Sequence, residues 1–321
     1  MILTRVLTSG GEILSDVPAD QLHQVVEDQA NVVWIDLESP TQDELGVVAG
    51  ILDWGELTVE DVSKQGQRAK LEQIEGYTYL VMHSLSYDGE PAKLSSAEVD
   101  FIVGPNYVAT VHYMPVAHIN QSRESMRQLE GTLGKGRDFL LYVLTDGLVD
   151  SYFPVLDAMH EAVDVLEDDI VANPSGELMT RIFDMKRDAV NLRRVISPQL
   201  EVFSRITSPG LGIIGEEHVL YFRDVHDHLI RVFEAMDSYR ELMSGALDAY
   251  LSNVSNRMNE VMKRLTVMAA LFLPITFFTG VFGMNLRETP IWHDPLFGVF
   301  LAGMAIASVG QFLYFRRKGW A

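Results

Sequence analysis

The chain has no cysteine among its 321 residues. Disulfides, thiolate metal sites and cysteine nucleophiles are therefore excluded. Basic residues are also scarce, because 25 Lys and Arg stand against 45 Asp and Glu and the formal net charge is −20. Binding to nucleic acid phosphates requires a basic face, so this balance argues against a nucleic-acid partner. An acidic surface instead attracts cations or simply keeps the protein solvated.

Charge is absent from two stretches near the C-terminus. Residues 265–282 and 295–315 contain no Asp, Glu, Lys or Arg. Each stretch is roughly as long as a helix that crosses a bilayer, for which about 20 residues are typical. We predict two transmembrane helices joined by a short external loop, residues 283–294. A buried hairpin in a soluble protein is the alternative interpretation.

Basic residues flank both predicted spans on the same side. Lys263 and Arg264 precede the first span, and the basic tail of residues 316–321 follows the second. The positive-inside rule then places both termini in the cytoplasm. Residues 1–5 show no charged leader ahead of an apolar core, so we expect no cleaved signal peptide. The predicted location is the cell inner membrane, as a multi-pass protein.

The sequence before the spans divides into three predicted regions. Residues 1–116 alternate strand-like and helix-like runs, which indicates a cytoplasmic α/β domain with a mixed sheet. Residues 117–215 are predicted to form an acidic helical hairpin region, in which residues 138–171 are one long helix. Residues 216–264 are predicted to be the cytoplasmic part of a stalk helix that continues into the first span. Proline interrupts helices, and the sole proline between residues 216 and 282 is Pro274, inside the span. The predicted fold class is therefore α+β, with a long helical stalk and two C-terminal transmembrane helices.

One face of the first span is uncharged. Steps of three and four along a helix bring residues to the same face, and here those positions are Asn259, Met262, Thr266, Ala269, Leu273, Thr276 and Gly280. Two spans cannot enclose a pathway, so a pore would require several subunits around an axis. Ordinary helix packing through small residues is the alternative.

The tripeptide Gly283-Met284-Asn285 follows this face at the predicted outer end of the span. A ring of Asn285 amide oxygens would suit a hydrated divalent cation, because magnesium gives up its water reluctantly. Gly283 would allow a backbone turn or a close approach there. A helix cap is the alternative role for Asn285.

Together these segments resemble the CorA family of magnesium and cobalt transport proteins. The resemblance is carried by residues 259–266, 274–277 and 282–285 and by the tail, residues 314–320. It extends upstream to segments that are similar to the acidic helix, the stalk helix and the segment before the central strands of that family. These upstream segments are 138–153, 221–228, 59–61 and 68–70.

The resemblance implies a homopentamer with a cytoplasmic funnel, a pore of five first-span helices and an outer ring of second-span helices. It implies a selectivity filter at Gly283, Met284 and Asn285. The implied pore-lining positions, with Ala269 added from the spacing, are Asn259, Met262, Leu265, Ala269, Leu273, Thr276 and Gly280. It also implies regulatory metal sites between neighbouring subunits, with Asp61 and Asp224 at matching positions and Glu60 and Asp146 as candidate ligands of a second site.

The function implied by the resemblance is an influx channel for magnesium, and also cobalt, that closes when cytoplasmic magnesium is plentiful. Mg²⁺ would then be both the transported and the regulatory ion, with no catalytic cofactor. The alternative is a zinc transporter of the same superfamily, either coupled to protons or not. Met284 argues against that branch. The external loop departs from the family pattern, because Arg287 weakens the negative field expected to collect cations and His293 leaves room for a softer ion.

An enzyme is the competing class, and we predict that the chain is not one. His226 and His228 are the obvious metal or acid–base candidates. Residues two apart on a helix diverge by about 200°, so these two side chains cannot easily share one metal. The sequence has no Gly-rich phosphate loop and no nucleophile motif. A membrane scaffold would leave the pore motif unexplained.

Overall fold

Alternating β-branched and aromatic residues in the first 112 positions favour strands that bury at least one face. In the computed structural model, which describes residues 1–87, 93–209, 212–283 and 295–320, these runs form one seven-stranded sheet. The described strands are β1 (Ile2–Leu7), β2 (Ile13–Ser15), β3 (Val32–Glu38), β4 (Lys70–Ile74), β5 (Tyr77–Tyr87), β6 (Leu94–Val103) and β7 (Tyr107–His112).

The strand order across the sheet is β2-β1-β3-β7-β6-β5-β4. The central pair, β3 and β7, is parallel, with Val33 opposite Tyr107 and Glu38 opposite His112. The other described pairs are antiparallel. The sheet is therefore mixed, as the sequence predicted.

Helices make up most of the rest of the described chain. They are α1 (Ala19–Glu27), α2 (Gln42–Ile51), α3 (Glu56–Lys64), α4 (Ala117–Glu124), α5 (Met126–Leu133), α6 (Arg137–Asp150), α7 (Tyr152–Ala172), α8 (Gly176–Ile206), α9 (Val219–Gly283) and α10 (Pro295–Arg317). The predicted α+β class, with a long helix and two C-terminal helices, is confirmed.

Local chemistry explains where two of these helices begin and end. The Thr41 hydroxyl accepts from the Glu44 amide at 3.2 Å, and the Glu44 carboxylate accepts from the Thr41 amide at 2.9 Å, so a capping box starts α2. The sequence suggested one helix over 138–171, but the structure ends α6 at Asp150. Pro154 explains this division, because it lacks the amide proton that would bond the Asp150 carbonyl.

The structure divides into two compact units. The first comprises Met1–Asp169 and Ser175–Ala246. One side of its sheet forms an apolar core with α1, α2 and α3, through residues such as Leu22, Leu45 and Val62. Helices α6 and α8 also contact the sheet.

The first part of α9 belongs to this same unit. Its buried residues recur at steps of three and four, as expected for one apolar helix face, and they are Phe222, Val225, Leu229, Val232, Met236, Tyr239, Met243 and Ala246. The Phe222 ring stacks on Phe203 of α8, with 6.4 Å between centroids. This packing fixes the side chains that α9 turns towards α6.

The second unit comprises Ile170–Pro174 and Leu247–Ala321. The Asn253 amide donates to the Ile170 carbonyl at 2.6 Å, and the Arg257 guanidinium donates to the Asn173 side chain at 2.9 Å. These two bonds connect α9 to the end of α7 and the residues just beyond it. The rest of the described unit consists of the apolar end of α9, helix α10 and the tail.

Candidate functional site

Two helical segments among the described residues are long and apolar enough to cross a membrane by length and composition, and they differ in how much of each is buried. The apolar window of the helical segment Arg137–Ala172 has a mean hydropathy of 1.3 and is 56% buried. Its side chains fill the interior of the protein, as in a core helix. The window in Val219–Gly280 has a mean hydropathy of 1.6 and is only 6% buried. That exposure is what a membrane-facing or subunit-facing helix would show.

Helix α10 is the second predicted span. It covers Pro295–Arg317, which is 23 residues, and its charged residues are confined to the last turn at Arg316 and Arg317. A cavity of about 400 Å³ separates it from α9. The cavity is lined by Pro274, Ile275 and Phe278 of α9 and by Gly303, Met304, Ala307 and Ser308 of α10. One face of α9 is therefore turned towards α10.

The predicted pore-lining residues lie on the other face of α9. At about 100° per residue, Leu273, Thr276 and Gly280 project opposite to Pro274 and Phe278. All seven predicted positions are exposed in the chain, namely Asn259, Met262, Leu265, Ala269, Leu273, Thr276 and Gly280. Most of this uncharged face is therefore left open by the described part of the chain.

The predicted filter lies at the end of α9. Gly283 is the last residue of that helix. Met284 and Asn285, and with them the external loop that contains Arg287 and His293, lie outside the described residues.

The C-terminal tail lies beside the end of the uncharged face that contains Asn259 and Met262. Gly319, with φ of 70°, ends α10 in a turn in which the Trp320 amide donates to the Phe315 carbonyl at 2.9 Å. The Trp320 ring stacks on Phe315, with 6.1 Å between centroids. Trp320 also lines a cavity of about 530 Å³ with residues of α9, namely Asn256, Asn259, Glu260, Met262, Lys263 and Thr266. The tail that resembled the family and the predicted pore helix therefore line one cavity.

A candidate metal site lies between α6 and α9. Asp146 and Asp150 lie four residues apart on α6, and His228 lies on α9. One carboxylate oxygen of each aspartate and one ring nitrogen of His228 all lie within 4.8 Å of one another. His228 Nδ1 lies 3.1 Å from Asp150 Oδ1 and 3.9 Å from Asp146 Oδ1. His228 Nε2 lies 3.7 Å from Asp224 Oδ2, one turn earlier on α9. Three carboxylates thus surround one imidazole.

The electrostatics of this cluster suit a cation. Burial, and then the neighbouring Asp150 carboxylate, raise the pKa of Asp146 to about 6. Asp146 Oδ1 is buried and has no hydrogen-bond partner among the described residues. Carboxylate oxygens and a neutral imidazole nitrogen are suitable ligands for a divalent ion. A bound cation would satisfy the orphaned oxygen and relieve the repulsion between Asp146 and Asp150, so the residues fit a metal.

Asp146 and Asp224 in this cluster are predicted metal ligands, whereas Asp150 and His228 were not predicted as their neighbours. Two four-residue spacings, Asp146 to Asp150 and Asp224 to His228, could have signalled one face on each helix. His226 is not part of the cluster that forms around His228. The two histidines therefore do not share a site, as their spacing predicted.

The other predicted regulatory residues, Glu60 and Asp61, lie on α3. Asp61 Oδ2 lies 2.6 Å from Lys70 Nζ, and Asp61 Oδ1 accepts from the Gln67 side chain at 3.3 Å. Glu60 pairs with Lys64 on the same helix. Among the described contacts, none joins Glu60 or Asp61 to Asp146 or Asp224. One chain therefore presents two separate acidic groups.

Comparison with known proteins gives consistent matches. Residues 29–317 match the family model described as CorA-like Mg²⁺ transporter protein. The chain is 38% identical to the cobalt/magnesium transport protein CorA of Thermotoga maritima over 82% of this chain and 76% of that protein. It is 31% identical to the putative metal ion transporter YfjQ of Bacillus subtilis over 100% of this chain and 98% of that protein.

The fold is similar to that of the solved CorA magnesium transporter from Methanocaldococcus jannaschii. The TM-score is 0.85 at 19% identity, over 100% of this chain and 99% of that chain. Fold and matches together define a membrane transporter of divalent metal cations. The chain belongs to the CorA-like Mg²⁺ transporter family. This membership confirms the predicted resemblance and the prediction that the chain is a transporter and not an enzyme.

Proposed function

We propose that the chain assembles as a homopentamer in the cell inner membrane and conducts magnesium, and also cobalt, into the cytoplasm. The observation that carries this proposal is the uncharged face of α9, which is exposed in the chain and lies opposite the side turned towards α10. Five such faces around an axis would line a pathway, and five copies of α10 would surround it. Residues 1–264 and 316–321 would lie in the cytoplasm, with 265–282 and 295–315 in the bilayer and 283–294 outside.

Ion selection would take place at the outer end of α9. We assign Gly283, Met284 and Asn285 to the filter, where five amide oxygens would hold a hydrated ion without removing its water. The uncharged face of α9, between the filter and the cytoplasm, contributes no charge that would retain the ion as it moves inwards. An inside-negative potential contributes roughly 2.3 kcal/mol per charge per 100 mV, so a doubly charged ion gains about twice that amount.

Closure would depend on metal sites between subunits. The two acidic groups of one chain, Glu60 and Asp61 on α3 and Asp146 and Asp224 beside His228, would meet those of the neighbouring chain. Carboxylates from two chains repel each other, and a bound divalent ion removes that repulsion. A high cytoplasmic concentration of magnesium would therefore hold the subunits in the closed arrangement. The orphaned Asp146 Oδ1 supports this role.

The test is ion flux into liposomes that contain the purified chain. We expect Asn285→Ala to abolish selective magnesium uptake while the oligomer persists on size-exclusion chromatography, because the filter loses its amide oxygen. Asn191→Ala, at an exposed asparagine of α8, is the matched control and should transport normally. Unchanged magnesium uptake by Asn285→Ala would show that the filter lies elsewhere.

The same liposomes distinguish the zinc alternative. Uptake is measured for magnesium, cobalt and zinc, each with and without a proton gradient. The proposal expects magnesium and cobalt uptake that follows the membrane potential and does not respond to the proton gradient. Uptake of zinc alone, accelerated by protons, would identify the other branch of the superfamily.

A further inference from the structure

Lys70 is held among acidic and aromatic groups at the edge of the sheet. It is the first residue of β4, and its ammonium lies 2.6 Å from Asp61 Oδ2 and 3.0 Å from Glu72 Oε1. The same ammonium lies 4.8 Å from the centre of the Tyr79 ring. The Lys70 side chain is 24% exposed and that of Asp61 is 32% exposed. This cation is therefore half-buried, beside a carboxylate that solvent still reaches.

The segment that follows α3 positions Asp61 from the other side. Gln65 and Gly66 adopt positive φ angles of 51° and 81°, which turn the chain back after the helix. Glu98 of β6 accepts a hydrogen bond from the Gln67 amide at 2.8 Å and so fixes this turn. The Gln67 side chain then donates to Asp61 Oδ1 at 3.3 Å. Both oxygens of Asp61 are therefore engaged within the chain.

We propose that Lys70 is an internal competitor for Asp61, and that it sets the divalent-cation concentration at which the regulatory site fills. This inference rests on the proposed role of Asp61 as a regulatory ligand. A divalent ion that binds Asp61 has to displace the ammonium from Oδ2, because two cations cannot share that oxygen at contact distance without strong repulsion. Glu72 and the Tyr79 ring keep the displaced ammonium nearby, so the exchange remains local.

Competition from Lys70 should weaken the binding of a divalent cation at Asp61, and removal of the Lys70 charge should strengthen it. A partly exposed ion pair of this kind is weak by itself, but the nearby positive charge adds repulsion against the incoming ion. We therefore expect Lys70→Met to lower the half-saturating magnesium concentration by about three- to tenfold. Lys70→Arg keeps the positive charge, so its half-saturating magnesium concentration should stay closer to that of the original chain than to that of Lys70→Met.

The experiment measures binding directly, on the full-length chain in detergent micelles. The half-saturating concentrations of magnesium chloride and of cobalt chloride are determined by calorimetry and by protection from limited proteolysis. Lys135→Met is the matched control, because it removes one lysine charge from the same unit, where Lys135 lies 4.1 Å from the Phe139 ring centre. Size-exclusion chromatography shows that each variant retains its oligomeric state.

Asp61→Asn and the double variant Asp61→Asn/Lys70→Met complete the set. We expect Asp61→Asn to weaken binding, and the added Lys70→Met change to have no further effect once the shared carboxylate is gone. Weaker binding in Asp61→Asn with no change in Lys70→Met would overturn the competitor role and leave the regulatory assignment intact. No change in Asp61→Asn would overturn the regulatory assignment, and the competitor role with it.

Discussion

Asp100 on β6 is a carboxylic acid with only 1% of its surface exposed. Burial raises its pKa to about 8, although a hydrogen bond from the Tyr79 hydroxyl at 2.7 Å acts in the opposite direction. The neighbouring Glu98 carboxylate also raises the pKa. The folded chain therefore holds Asp100 protonated at a pH where the unfolded chain has released the proton. This difference links folding stability to pH.

The raised pKa of Asp100 predicts that the stability of the folded chain decreases as the pH rises. The stability contribution of Asp100 is fully present below pH 3.8 and is lost as the pH rises through about 8. Asp100→Asn keeps the shape and stays neutral, so it should raise the melting temperature more at pH 8 than at pH 5. The slope that it removes is at most about 1.4 kcal/mol per pH unit. Thermal melting of the solubilised chain between pH 5 and pH 9 measures it.

Asp157→Asn is the control for this prediction, because Asp157 is exposed on α7. Its melting curve should follow that of the original chain at every pH. If the Asp100→Asn curve also ran parallel to the original, Asp100 would not be the group responsible for the loss of stability.

At the level of elements, α4 is attached to the centre of the sheet by a buried charge cluster. Arg123 of α4 contacts Asp36 of β3 and donates to Glu38 Oε2 of the same strand at 2.7 Å. Arg123 Nη2 also lies 3.0 Å from Nε2 of His112 on β7. Asp36 is 2% exposed and His112 is fully buried. The cluster forms where the parallel strands β3 and β7 end, so it secures both strands and the helix that follows.

Removal of the cation from this cluster should be costly. Arg123→Met leaves the Asp36 carboxylate buried without its guanidinium partner, and the loss of one member of a buried ion pair typically destabilises by about 3–5 kcal/mol. Arg187→Met breaks an exposed pair with Asp184 on α8 and should cost about 0–1 kcal/mol. Chemical denaturation of the two variants under the same conditions compares these losses.

The double variant Arg123→Met/Asp36→Asn tests the cause. We expect it to recover part of the stability, because the unpaired charge is gone. An equal loss in the single and the double variant would mean that Arg123 acts through packing of its stem and not through its charge.

The elements differ in how far the sequence could predict them. The capping box at Thr41 and the long helix α9 follow from local signals, and the structure contains both. Strand β4 has the sequence Lys-Leu-Glu-Gln-Ile with only Leu71 buried, so no alternation revealed this edge strand. The candidate metal cluster could not be predicted from local sequence either, because His228 lies near Asp150 only once α9 packs beside α6. Spacing along one helix cannot show which second helix will face it.

Across the whole molecule, ligand strength differs between the proposed filter and the proposed regulatory sites. Asn285 offers a neutral oxygen, whereas Asp61, Asp146 and Asp224 offer charged ones. A neutral ligand releases a divalent ion quickly, and carboxylates hold it longer. An ion-conducting pathway needs the first property, and a sensor of cytoplasmic magnesium needs the second. The acidic excess of the chain and its uncharged membrane helices therefore serve separate tasks in the proposed channel.

The absence of cysteine makes the proposed assembly directly testable. Leu273 on the uncharged face of α9 and Ile306 on α10 are each 72% exposed in the chain. A pentamer around the α9 face would bring five Leu273 positions together at the axis and keep the Ile306 positions on the outer ring. In the otherwise cysteine-free chain, oxidation of Leu273→Cys should therefore yield disulfide-linked dimers, and charged thiol reagents should block magnesium flux through it. Ile306→Cys should stay monomeric on denaturing gels and conduct normally after the same treatment. Cross-linking and block at Ile306→Cys, with neither at Leu273→Cys, would place α10 and not α9 around the pathway.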